Sequence, residues 1–301
     1  MKITNHLPVL LDCLRRWERR PSLQQFEAEY WSAIQAELWF QGAALRLWKG
    51  ITELDWTRYR AETLELDPAR EEARLRRNIE RVEQLFGIPL GGTAILFGAF
   101  TFMDGYARFD RGVHKVYLGV DESHGRGAYL DVLETHELTH VVRETRPSVW
   151  EPWGLSVTMS HDELFEERLP TVEHLLNEGL ACAVSELLNP DEDPWHYAYQ
   201  EEDGLERILL HAPAVDAAIH EELRKGEQGD YGAFYSPHRY GETPLPVFTH
   251  YVWAWQWAKH LIRDLHQGDV RTLVVRCSKD LIEDALAWKL EGVDIPPRRT
   301  G

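Results

Sequence analysis

Apolar positions along this chain recur mainly with helical spacing. From residue 129 onward Tyr129, Leu130, Val132, Leu133, Leu138, Val141 and Val142 give one stretch an apolar side, and neither Pro nor Gly falls between 129 and 146. That pattern predicts a helix. Residues 171–188 form a second strong helical stretch, stopped by Asn189-Pro190. In the first ninety residues Trp31, Ile34, Leu38, Gln41, Leu45 and Trp48 follow a 3-4-3-4-3 spacing, one seam with a polar break at Gln41. Leu75, Ile79, Val82 and Phe86 mark a further amphipathic helix that ends at Gly87 and Pro89. Phe248–Gln267 places Trp253, Trp255 and Trp257 on different sides of one helix, which suits a core element better than a sugar-binding platform. Asp280–Leu290 reads as a last helix and Pro296–Gly301 as a tail.

Only two segments carry strand character. Residues 93–100, opened by Gly91-Gly92, and residues 113–120 are rich in β-branched and aromatic residues and bounded by Gly or Asp. They are expected to pair in a small sheet. The fold class expected is α+β, mostly helical, with residues 1–90 as a helical region and 91–301 as the remaining part, the two together forming either two domains or one continuous domain.

Composition narrows the class. The 301 residues hold 33 basic against 50 acidic side chains, a net charge of −17. Such a balance disfavours nucleic acid, anionic membranes and strongly acidic substrates as partners. Cys13, Cys182 and Cys277 are odd in number and far apart, which suits a reducing compartment. The first residues lack a charged-then-apolar leader, and no stretch approaches the roughly 18 apolar residues of a membrane span, so a cytoplasmic address is expected.

The chemistry concentrates at His136-Glu137-Leu138-Thr139-His140. On a helix, histidines four residues apart leave one face a turn apart and supply two corners of a tetrahedral zinc site, with Glu137 beside them as general base for a metal-activated water. Catalytic zinc normally takes three protein ligands. A third His six residues after His140 is absent, since the run continues Val-Val-Arg-Glu-Thr-Arg. A Glu on a second helix is the other route, and Glu178 in Asn177-Glu178-Gly179-Leu180-Ala181 supplies one. Gly179, Ala181 and Ala183 would let the ligand-bearing helices approach closely. A Gly within a helix costs about 1 kcal/mol relative to Ala, so it calls for such a packing reason. His161, His174 and His196 are alternative ligands on paper. Surface histidines and an incidental carboxylate are the plain alternative for the whole pattern.

These residues resemble the gluzincin type of zinc metallopeptidase, whose H-E-x-x-H is followed by a helix bearing a glutamate ligand. Glu178-Gly179-Leu180-Ala181 after the pentapeptide is similar to a group of predicted bacterial zinc-dependent proteases. The resemblance covers residues 91–190, more weakly 230–290, and none of the first 90. It implies a zincin-like fold with the sheet beside the metal helix, zinc held by His136, His140 and Glu178, Glu137 as base, and a peptide or protein substrate added to a sheet edge. One departure stands out: where well-known gluzincins have an Asp four residues after the ligand Glu, this chain has Cys182. Glu186, Asn177 or Asp131 would then support the ligand histidines. For the oxyanion, the Pro-rich segment 235–251 gathers His238, Tyr240, His250 and Tyr251, and the resemblance points to Tyr251. An aminopeptidase or small-amide hydrolase, a zincin-like binding protein without turnover, and a regulatory protein with an N-terminal recruiting half are the alternatives.

Overall fold

The computed structural model describes residues 1–38, 42–121, 128–166, 168–293 and 295. It is α+β and mostly helical, with one four-stranded sheet. The chain divides into two compact units. The first holds Met1–Arg108 and Val113–Glu137; the second holds Phe109–Gly112 and the residues from Leu138 onward.

In the first unit, β1 (Lys2–Asn5) runs parallel to β2 (Thr93–Phe97), with Ile3 opposite Ala94. β2 in turn lies parallel to the strand Val113–Gly119, with Ala94 opposite Val116. Taking β3 as Gly105–Asp110 and β4 as Val113–Gly119, the sheet order is β1-β2-β4-β3. The two segments with strand character are therefore neighbours, as expected. Two strands were not legible. β1 is only four residues long, and β3 (Gly-Tyr-Ala-Arg-Phe-Asp) lacks the alternation of a half-buried strand. Its place is set by the two-residue turn Arg111-Gly112, both at positive φ (48° and 81°), which folds β3 back along β4. β3 forms an edge of the sheet.

Helices fill the long connection between the parallel strands β1 and β2. They include α1 (Leu7–Arg16), α2 (Ala43–Glu53), α3 (Trp56–Thr63) and α4 (Pro68–Phe86). α4 starts at an Asp67 cap followed by Pro68 and stops at Gly87 in the left-handed region. It buries Leu75, Ile79, Val82 and Phe86 as its spacing predicts. The seam expected from Trp31 to Trp48 is not one helix. A π-helical turn at Glu27–Trp31 passes into Ser32–Ile34, and α2 begins afresh after Gly42 at φ 70°. α2 buries Ala43, Leu47, Gly50 and Ile51, whereas Leu45 is 69% exposed. Gly50 is chosen by contact, because a Cβ there would sit 1.7 Å from the Phe100 carbonyl oxygen. Gln41 and the tail Pro296–Gly301 lie outside the described residues.

Buried Asp121 organises the turn after β2. Its carboxylate accepts from the Ala99 and Phe100 amides (2.7 and 2.8 Å) and from the Tyr59 hydroxyl (2.6 Å). Phe100 and Thr101 sit at φ 50° and 67°, a conformation unfavourable for side chains of this size. Asp121→Asn removes acceptor capacity from that knot, and about 2–4 kcal/mol of stability is expected to go with it. A urea titration would read the loss; an unchanged midpoint would show that the turn holds itself.

The second unit is built on α6 (Thr171–Leu188) and α9 (Thr249–His260), with α7 (Glu202–Leu210) and α8 (Ala212–Arg224) between them in sequence. The helix Ala128–Glu144, α5, carries the chain from the first unit into the second. Trp253, Trp255 and Trp257 of α9 are essentially buried. Each indole donates to a carboxylate on another element: Asp216 at 2.9 Å, Glu186 at 2.8 Å and Asp284 at 2.8 Å. They are core residues, as the sequence pattern suggests. The last expected helix is shorter, a 3-10 turn at Ser278–Leu281 followed by Ile282–Ala287. The three cysteines are buried. Among the described residues, no helix is long and apolar enough to cross a membrane.

Candidate metal centre

The pentapeptide lies inside α5, whose described side chains from Tyr129 to Glu144 are buried on nearly every face. Its polar residues are therefore turned away from water and need partners within the protein. On the first-unit side, Glu134 is wholly buried, with Arg74 Nε and Nη2 both 3.0 Å from one oxygen and Asn78 Nδ2 2.6 Å from the other. Asn78 also reaches Asp131 at 2.7 Å. Burial outweighs these partners and pushes the Glu134 carboxyl up to about 7. α4 thus grips α5 two residues before His136.

His136 and His140 project one turn apart from α5, 2% and 6% exposed. Their ring nitrogens and a Glu178 oxygen lie within 4.8 Å of one another, a group that could hold a metal ion. His140 Nε2 and Glu178 Oε2 are 3.5 Å apart. Zinc bonds of about 2.0–2.1 Å at tetrahedral angles place neighbouring ligand atoms roughly 3.3–3.4 Å apart, so this spacing fits. Two imidazoles and a carboxylate in a nearly dry setting are also the donor set a zinc site uses. Of the alternative histidines, His161 Nδ1 pairs with the Phe109 carbonyl (3.1 Å) and His196 Nδ1 with Glu192 (2.9 Å). Neither joins the group.

Glu137, 6% exposed, neighbours the edge strand. A Cβ on Gly105 of β3 would come 2.9 Å from Glu137 Oε1 and 2.7 Å from Leu133 Cδ1. Glycine at 105 is therefore required by the close approach of β3 to that carboxylate, a contact that the sequence alone did not reveal.

Support for the ligands differs from expectation. Glu186, one of the three expected supports, is taken by Trp255 and by Lys259 at 2.8 Å. Asn177 donates at 2.9 Å to Glu144 Oε1, which lies 3.8 Å from His140 Nδ1. Glu144 is four residues past His140, one further turn along the same face. Its spacing was the signal that could have found it.

Gly179 also serves a different neighbour. A Cβ there would lie 2.1 Å from the Ala254 carbonyl oxygen, so the close approach is between α6 and α9, not between the two ligand helices. Tyr251 stands one turn before Ala254 and is carried beside Glu178, whose charge, after burial, helps to hold the phenol protonated well above its usual range. Gly179→Ala gains up to about 1 kcal/mol in helix propensity but forces two backbones apart, for which about 1–3 kcal/mol is typical. The net expectation is destabilisation, read as a lower urea midpoint; a more stable variant would mean that the helices are not in contact here.

His174, one turn before Glu178, and His250 were singled out by sequence only as loose candidates. They stack on each other (5.6 Å, 29°) between Tyr231 and Phe234. Burial holds the His174 imidazolium down to about 4 and His250 well below its usual range, so both rings are neutral. Tyr240 stacks on Phe234, and His238 is exposed. No protein-family model, curated protein or solved structure matches the chain.

Proposed function

We propose that this chain is a zinc-dependent peptidase of the gluzincin type, with His136, His140 and Glu178 as ligands and Glu137 as general base. The observation that carries the reading is the meeting of Glu178 with the two imidazoles of α5, from a helix distant in sequence. When bound there, zinc supplies Lewis acidity that polarises a carbonyl and makes water acidic near neutral pH.

The chain's own groups then divide the work. Glu137 takes a proton on its carboxylate and returns it to the leaving amine. β3, an edge strand, offers backbone groups to an extended peptide, an affinity that tolerates many sequences. Tyr251 keeps its proton across the physiological range and can donate to the developing oxyanion. Glu144, held by Asn177, lies 3.8 Å from His140 Nδ1 and is the carboxylate placed to orient that ring.

The test is metal analysis of the purified protein together with digestion of a peptide library with and without a zinc chelator. Stoichiometric zinc and chelator-sensitive cleavage are expected. Protein that carries no zinc and cuts nothing even after zinc is added would end the reading.

A further inference from the structure

The edge that β3 presents is closed at one end. Its backbone groups alternate between the β4 side and the outer side. The Gly119 amide of β4 donates to the Asp104 carbonyl at 2.7 Å, which sets the phase. The two-residue turn Arg111-Gly112 keeps that phase to the end of the hairpin. Counted in twos, Gly105, Ala107 and Phe109 are the residues whose backbone groups point outward. Gly105 and Ala107 are half-buried, whereas Phe109 is fully buried.

What covers Phe109 is a segment of the second unit, residues 156–161. The Phe109 carbonyl, on the outer side, accepts from His161 Nδ1 at 3.1 Å. The His161 amide donates to Asp110 Oδ1 at 2.9 Å, and the Arg111 amide donates to the Met159 carbonyl at 3.0 Å. The Phe109 ring anchors the arrangement in a small apolar core with Val149, Trp150, Leu155 and Leu164. His161 is 3% exposed and stacks on Phe165 (4.7 Å, 19°). A strand added to β3 would run about 4.8 Å from it, and at Phe109 the acceptor it needs is already taken by the imidazole.

The other end of β3 meets the proposed chemistry, since a Cβ on Gly105 would come 2.9 Å from Glu137 Oε1. A bond attacked beside Glu137 is therefore paired near Gly105. From residue 105 to residue 108 an extended strand covers about 10 Å, room for about two or three substrate residues. Antiparallel pairing is the more stable per residue, and it directs the amino end of the substrate toward Phe109.

We infer that residues 156–161 wall off the edge of β3 and make the enzyme one that removes short fragments of about two or three residues from the amino end of peptides. Water adds across the amide, so the fragment gains a carboxylate and the remainder a new amino terminus. The inference rests on the peptidase reading and adds the substrate class, chains with an accessible amino terminus.

The test compares linear peptides with the same peptides cyclised head to tail, digested by the zinc-loaded full-length protein and followed by mass spectrometry. Amino-terminal di- and tripeptides are expected as first products, with the cyclic forms uncut. Cyclic peptides cut as fast as linear ones, or short fragments from the carboxyl end, would overturn the wall and leave the peptidase. His161→Ala keeps the backbone bond from Arg111 to Met159 and loosens the wall, so longer amino-terminal fragments should appear; fragments of unchanged length would remove residues 156–161 as the boundary. Calorimetric titration of Glu137→Gln with both peptide forms separates the two readings. Binding of linear but not cyclic peptides by a protein that cuts neither keeps the wall and removes the peptidase. Binding of neither, without cleavage, overturns both.

Discussion

Glu137→Gln is expected to leave metal content unchanged and to lower amide hydrolysis by about 10²–10⁴-fold. Glutamine keeps the size of the side chain in a site only 6% exposed, so packing against β3 survives and only the proton acceptor is lost. The loss corresponds to about 3–5 kcal/mol of transition-state stabilisation. Glu178→Ala should behave differently. It removes one of three ligand atoms lying within 4.8 Å of one another, so zinc itself should go, and activity with it. Elemental analysis next to rate measurement distinguishes the two. Metal-loaded Glu137→Gln protein working at the wild-type rate would take Glu137 out of the mechanism, and full zinc in Glu178→Ala would take Glu178 out of the site.

The second large effect is structural and falls close to the ligands. Arg143 is three residues beyond His140, and Glu173 is five before Glu178; both are 1% exposed. Arg143 Nε and Nη2 donate to Glu173 Oε1 at 2.9 and 2.6 Å, while Nη1 reaches the carbonyls of Leu273, Val274 and Arg276. The Ser278 amide completes the carboxylate at 3.3 Å. This clamp joins α5 and α6 one turn from where His140 meets Glu178. Arg143→Met strands a buried carboxylate and three carbonyls, and about 3–5 kcal/mol should be lost. Adding Glu173→Leu removes the stranded charge, so the double variant should be less destabilised than the sum of the single ones. Strict additivity in urea titrations would show that the two groups are not coupled.

How much of this was legible beforehand differs by element. α5 and α6 were readable nearly to the residue, because unbroken helix formers end at clear stop signals such as Asn189-Pro190. β3 was not, since its residues are only partly buried and its pairing is dictated by a left-handed turn rather than by alternation. The seam from Trp31 to Trp48 misled because its periodicity persists across a break near Gly42, and spacing does not register a change of helix axis. Glu144 was passed over for Glu186, Asn177 and Asp131, although its own helix carried it to the right place.

The amino-acid order by itself fixes the one-turn spacing of His136 and His140 with Glu137 between them, since helical geometry is local and needs no partner. Whether a carboxylate from another helix arrives at those imidazoles is a question of long-range packing. Helix crossings and buried ion pairs settle it, and no periodicity encodes them. The same holds for Gly179 and Gly105. Each is an ordinary residue in the sequence, and its role exists only once a neighbour from elsewhere in the chain has been brought within a few ångströms.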